Sequence, residues 1–107
     1  IRLHAAIEVG LTDIEMNPEL QLTSGTDVVV IATVTNKGSS PRALRLETAA
    51  RGMPGQQLQI SDLPPGQTVL RRFVFPDAMS KLSGRRVVVS LSDQEEAQRL
   101  NKAVQVP

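Results

Sequence analysis

Side chains that could bind a metal are few in this chain of 107 residues. His4 is its only histidine and it has no cysteine, so the sequence lacks the ligands from which zinc and copper sites are usually built. Asp93, Glu95 and Glu96 could offer oxygens to Ca²⁺, but they lack the alternating ligands and the glycine of an EF-hand loop. We therefore predict no metal and no cofactor, a solvated His4, and an acidic cluster that forms a solvated loop or a helix cap.

The sequence also lacks the paired nucleophile and base that nucleophilic catalysis requires. None of the serines lies in a recognisable nucleophile elbow, and no base accompanies any of them at a spacing typical of a catalytic pair. The absence of cysteine removes disulfides and thiolate metal sites. We predict no catalytic residue and a protein that is not an enzyme.

Two arginine pairs could bind an anionic partner. Arg71 and Arg72 lie in one predicted strand, Arg85 and Arg86 begin another, and if the two strands are neighbours one arginine of each pair faces solvent. Such a patch could bind an anionic polysaccharide, a nucleic acid or an acidic protein. The net charge of only +1 and the lack of Trp and Tyr favour an ordinary charged sheet face, and we expect no nucleic-acid partner.

The elements that carry these side chains are organised around residues 28–41, which read VVVIATVTNKGSSP. The β-branched run predicts a central strand, and turn chemistry at Asn36 and Gly38 predicts where it ends. Alternation places the even positions on the core side, namely Val28, Val30, Ala32 and Val34.

The rest of the chain predicts further short strands separated by turns. The strand-like segments are 7–16, 43–48, 58–60, 69–75, 85–92 and the last residues of the chain. We expect Asn17-Pro18 to break the first of them, and Gln94 to Leu100 to form one helical turn. In 69–75 the odd phase is assigned to the core because it buries Phe73 and Phe75. About seven strands predict an all-β, antiparallel β-sandwich, and we expect a single domain over 1–107.

Three segments resemble a known family. They are VVVIATVTNKGSSP at 28–41, DLPPGQTVLRRFVFP at 62–76 and EEAQRLNKAVQVP at 95–107. Together they resemble the bacterial cell-adhesion-related domain, CARDB, with its V-x-N-x-G strand end and its proline-glycine turn. The third segment departs from the family's pattern, since it has one asparagine, Asn101, where the family commonly has two.

The resemblance implies an immunoglobulin-like or fibronectin-III-like sandwich and an extracytoplasmic location: periplasm, cell surface or secreted. It also implies a non-catalytic interaction or spacer module of a larger bacterial protein, whose partners are neighbouring domains of the same polypeptide or another protein. One alternative is an accessory domain that docks onto a catalytic domain such as a glycosidase, protease or transglutaminase. Another is a PapD-like chaperone or secretion component.

We expect any binding chemistry to lie on an exposed edge strand or in the loops 36–42, 52–56 and 78–85 at one end of the sandwich. The candidate interaction residues in these loops are Asn36, Lys37, Ser39, Ser40, Arg42, Met53, Gln56, Lys81 and Arg85.

The chain begins at Ile1 rather than at a methionine, and we expect it to be an excised domain or processed segment. No stretch approaches the roughly 20 apolar residues that span a bilayer, so we expect no membrane insertion of this segment.

Overall fold

The computed structural model describes residues 13–21, 25–93 and 99–107. Within them the chain forms seven β-strands and one helical turn, α1, at Met79–Leu82. The strands are β1 (Ile14–Gln21), β2 (Val28–Asn36), β3 (Arg42–Ala50), β4 (Gln57–Leu63), β5 (Thr68–Phe75), β6 (Arg86–Asp93) and β7 (Arg99–Gln105). This helical turn is too short to cross a membrane, and no other helix occurs in the described residues.

The strands form two antiparallel sheets. The smaller sheet has the order β1-β2-β5 and the larger has the order β4-β3-β6-β7. The strand β4 therefore lies beside β3, whereas the fourth strand of a constant-type immunoglobulin domain lies beside the fifth. The predicted fold, an all-β, immunoglobulin-like antiparallel β-sandwich of about seven strands, is confirmed.

The core lies between the sheets and follows from alternation along the strands. The even positions of β2 are fully buried, as predicted, and Val29 on the opposite face is only 2% exposed. Phe73 and Phe75 are fully buried, so the odd phase of β5 is confirmed. The inward residues of β6 complete the packing, namely Val87, Val89 and Leu91.

The edge strand β1 shows why a proline did not interrupt the sheet. We expected Asn17-Pro18 to break the strand, but β1 runs through both residues. Because the carbonyl of Asp13 accepts the N–H of Lys37, the odd residues of β1 bond to β2 and Pro18 faces the open edge. An edge position needs no N–H from Pro18, so the strand continues.

The topology also decides between the alternatives for the arginine pairs and corrects part of the expected helical turn. The arginine pairs do not form one patch, because Arg71 and Arg72 lie in the smaller sheet while Arg86 lies in the larger. Leu100 belongs to β7 rather than to a helical turn. The expected strand residues 7–12 and the remainder of the expected turn, 94–98, lie outside the described residues.

Candidate functional site

The three predicted interaction loops lie at two different ends of the sandwich. Loop 36–42 joins β2 to β3, and the turn between β4 and β5 lies at the same end. Loops 52–56 and 78–85 lie at the opposite end, where Ala50 pairs with Val87. The prediction that all three loops gather at one end is wrong, because antiparallel strands carry successive loops to alternate ends. We call these ends the β2–β3 end and the β5–β6 end.

Asn36 serves the internal structure of the β2–β3 end. Its side chain is fully buried, and its Nδ2 donates to the carbonyls of Ser40, at 2.9 Å, and Leu63, at 2.8 Å. Its Oδ1 accepts the N–H of Gly38 at 2.9 Å, which closes an Asx turn. With each polar atom of its side chain bonded inside the protein, Asn36 offers no group to a ligand.

Gly38 is required by crowding rather than by its backbone angle. Among the described residues the glycines with positive φ are Gly52, Gly66 and Gly84, and Gly38 is not one of them. A Cβ at Gly38 would lie 2.7 Å from Oδ2 of Asp13 and 3.3 Å from Oδ1 of Asn36. Asn36 ends strand β2 and has no positive φ, so the turn that follows the strand depends on its side-chain hydrogen bonds and on the small size of Gly38.

Arg42 forms an ion-pair bridge between the two sheets. Its side chain is 17% exposed and donates to Asp13, which precedes β1, and to Asp93 at the end of β6. Burial lowers the pKa of Arg42, but the hydrogen bonds to Asp93 and Asp13 outweigh it and hold that pKa above its usual value. The prediction that Asp93 lies in a solvated loop is wrong, because its side chain is 7% exposed and paired with Arg42. The alternative, a helix cap, involves residues 94–98, which lie outside the described residues.

The remaining candidates at this end are exposed. Ser39 and Ser40 face solvent, and Lys37 pairs with Glu15 at 3.2 Å across the β1–β2 edge. The hydrogen bond and charge of Lys37 hold the pKa of Glu15 below its usual value. A pair this exposed contributes little to stability.

At the β5–β6 end, Met53 and Arg85 come together in one open groove of about 700 Å³. We call it the basic groove, because Arg51 and Arg86 also line it. The other residues that line it are Thr48, Ala49, Ala50, Gly55, Gly84, Val88 and Gln105. Of the nine candidates, only Met53 and Arg85 meet here.

Gln56 and Lys81 lie at the same end but outside the groove lining. The Nε2 of Gln56 donates to the carbonyl of Val74 at 2.7 Å, and its N–H donates to Oγ1 of Thr48 at 2.9 Å. Gln56 therefore caps a carbonyl on the open edge of β5. Lys81 is exposed in α1.

The outer face of the smaller sheet carries apolar residues that the loop prediction missed. Leu70 is 60% exposed and Val74 is 38% exposed. They pair with Thr33 and Val29 of β2, so they stand on the face opposite the core. The signal was present in the sequence, because placing Phe73 inward turns Leu70 and Val74 outward.

Titratable side chains do not gather into a metal site in the described part of the chain, where no three potential ligands meet. His4, Glu95 and Glu96 lie outside the described residues.

Neither the family models nor the curated proteins contain a match to this chain. Among solved structures, the FixG-related protein from Vibrio parahaemolyticus is similar with a TM-score of 0.60 at 12% identity, over 88% of this chain and 94% of that chain. This likeness shows an immunoglobulin-like β fold and nothing further about activity.

Two enzymes also match, with TM-scores of 0.48: β-glucosidase 3B from Thermotoga neapolitana in complex with α-D-glucose, and the GH3 β-glucosidase of Bifidobacterium adolescentis. Their identities to this chain are 13% and 11%, and each match covers 87% of it. The chain spans only 16% and 17% of the two enzymes' lengths.

Proposed function

We propose that this chain is a non-catalytic module of a larger extracytoplasmic bacterial protein, of the CARDB type, and that it docks against a neighbouring folded domain. The docking surface is the outer face of the smaller sheet. We call the apolar residues there that are not already buried, Ile31, Leu70 and Val74, the apolar face. The exposure of Leu70 and Val74 is the observation that carries the proposal.

The apolar face spans two strands, with Arg72 standing between Leu70 and Val74 on β5. Val29 pairs with Val74, Ile31 pairs with Arg72, and Thr33 pairs with Leu70, so their side chains form adjacent rows on one surface. Covering the exposed parts of Leu70 and Val74 would contribute about 2 kcal/mol from apolar burial. An apolar surface of this kind favours association with another protein surface.

The outer face of the larger sheet provides the contrast. It carries Arg45, Glu47 and Arg99. The Oε1 atom of Glu47 lies 3.9 Å from Nε of Arg45 and 3.7 Å from Nη1 of Arg99. Ser90 and Asn101 stand beside them in the same row as Glu47. On strand β1 the outer face of the smaller sheet is polar too, with Glu15, Asn17 and Glu19, so the contrast is confined to β2 and β5, where the exposed Leu70 and Val74 favour docking.

Strand exchange of the PapD kind is less well supported, because the edges of the smaller sheet are interrupted. Pro18 faces the open edge of β1. On β5 the carbonyls of Leu70 and Val74 accept side-chain bonds from Arg71 and Gln56. Such edges do not present a full row of free backbone groups to an incoming strand.

The proposal is tested by a photocrosslinking amino acid placed at Leu70 in the full-length polypeptide that carries this chain. Illumination should link position 70 to a peptide of an adjacent domain of the same polypeptide, identified by mass spectrometry. The matched control is Asn101, which lies on the outer face of the larger sheet and should give no such link. Equal links from both positions, links only to a second copy of the chain, or none at position 70 would overturn the proposal.

A further inference from the structure

The basic groove at the β5–β6 end is a second surface, distinct from the apolar face. It lies where β3 ends and β6 begins, so the turn after β3 supplies Arg51, the loop before β6 supplies Arg85, and the first residue of β6 supplies Arg86. Gln105 of β7 pairs with Arg86 and completes that side of the groove. All three arginines are exposed.

The charge of the groove is unbalanced. Its lining contains three arginines and no Asp or Glu. In the described residues, none of the three makes an ion pair, whereas Arg42 and Arg99 pair with carboxylates elsewhere in the sandwich. Three guanidinium groups around one concavity create a positive potential that attracts an anionic group, and their planar forks match carboxylates.

The floor of the groove is apolar and is formed largely by small side chains. Ala49 and Val88 are paired neighbours on β3 and β6, and Met53 lies beside Ala50, whose carbonyl accepts its N–H at 3.1 Å. Small side chains there let a bound chain approach the sheet closely, and methionine adapts its shape to what it contacts. The groove therefore offers apolar contact along its floor and cations at its rim.

We propose that the basic groove binds an extended acidic peptide segment of a partner protein, with its carboxylates on Arg51, Arg85 and Arg86 and its apolar side chains on the floor. A peptide fits this combination because it carries both kinds of side chain on one backbone. Single-stranded nucleic acids are usually held on aromatic platforms, and both phenylalanines of this chain are buried. An anionic polysaccharide could contact the arginines, but it has no apolar side chains for the floor of the groove. This inference uses a different surface from the docking proposal, so either can fail alone.

The test uses the 107-residue chain and a fluorescein-labelled peptide of alternating glutamate and valine, with the glutamine–valine peptide as the probe control. Fluorescence anisotropy should show binding of the glutamate peptide that weakens as NaCl rises from about 50 to about 500 mM. Amide chemical-shift changes should centre on Ala49, Arg51, Arg86 and Val88. The glutamine peptide should bind several-fold more weakly.

A second arginine pair in the same chain provides a matched control for the loss of two positive charges. The double substitution Arg85→Gln with Arg86→Gln should weaken binding by at least about fivefold, since each exposed pair is worth roughly two- to fivefold in affinity. Arg71→Gln with Arg72→Gln removes the same charge from the smaller sheet and should leave the affinity within about twofold. Dispersed amide spectra of both variants confirm that they fold.

Three outcomes would overturn the inference. Equal weakening by both double substitutions would mean general attraction to a cationic protein. Amide chemical-shift changes that spread over residues outside the groove would also indicate general attraction to a cationic protein. A heparin fragment or anionic phospholipid vesicles that bind the groove residues more tightly than the glutamate peptide does would show that the groove binds a polysaccharide or a membrane surface instead.

Discussion

The two ends of this sandwich use the same kinds of side chain in opposite ways. At the β2–β3 end, Arg42 is paired with Asp13 and Asp93, and the amide of Asn36 bonds only to the protein's own backbone. At the β5–β6 end, Arg85 and its neighbours around the basic groove make no ion pair in the described residues. A polar loop residue is therefore available to a partner only where the fold does not already use it.

Burial explains the difference. The Arg42 side chain, at 17% exposure, has lost most of its hydration and needs carboxylate partners to remain charged. Arg85 is exposed, so water solvates it and it can exchange that water for an anion at small cost. The β2–β3 end can thus be regarded as a closed polar network, and the β5–β6 end as an open binding surface.

The largest effect is expected from Asp93→Ala, which leaves Arg42 without its most buried partner. We expect a loss of about 3–4 kcal/mol in the free energy of unfolding, because removing one partner of a largely buried charge is costly and Asp13, whose side chain is 36% exposed, compensates Arg42 only in part. Urea denaturation followed by circular dichroism measures it. The control at the other end, Arg85→Gln, should change stability by less than about 0.5 kcal/mol. Equal effects of the two substitutions would remove the distinction between the ends.

A smaller effect is expected from Asn36→Ala. The carbonyls of Ser40 and Leu63 and the N–H of Gly38 would each lose a partner, at a total cost of about 2–4 kcal/mol. The comparison is Gln56→Ala at the β5–β6 end, whose exposed bond to Val74 should cost at most about 1 kcal/mol. Thermal or urea unfolding of both variants gives the difference. A cost for Gln56→Ala that matches or exceeds the cost for Asn36→Ala would contradict the closed network.

The smallest effect is expected at the exposed ion pair between Lys37 and Glu15, at the β2–β3 end. Lys37→Gln should raise the pKa of Glu15 toward its usual value of 4.5, because the hydrogen bond and charge of Lys37 lower it. A lowered folded-state pKa stabilises the protein above the unfolded-state pKa, and this contribution disappears as the pH falls through the folded-state pKa. Titration of the Glu15 carboxyl carbon by NMR measures the shift. An unchanged Glu15 pKa would show that the pair does not form in solution.

The alternation of inward and outward positions along the strands predicted the core well, and it also indicated which apolar residues lie on the outer face of the smaller sheet. Once Phe73 points inward, Leu70 and Val74 must point outward, and both are exposed. The same reasoning could not place Asp93, because its partner Arg42 is distant in sequence and the two meet only when β3 pairs with β6. The local pattern alone therefore predicted a solvated Asp93, and the long-range pairing buries it.

The sequence by itself determined most of the strands, the core-facing sides of β2 and β5, and the absence of cysteine and of aromatic binding platforms. These properties depend on residue type and on a period of two, which are local. The tertiary structure alone decided which loops share an end, which arginines are neutralised and which remain free around the groove. Such properties depend on strand order and on antiparallel direction, so they are set by pairing between residues far apart in the chain.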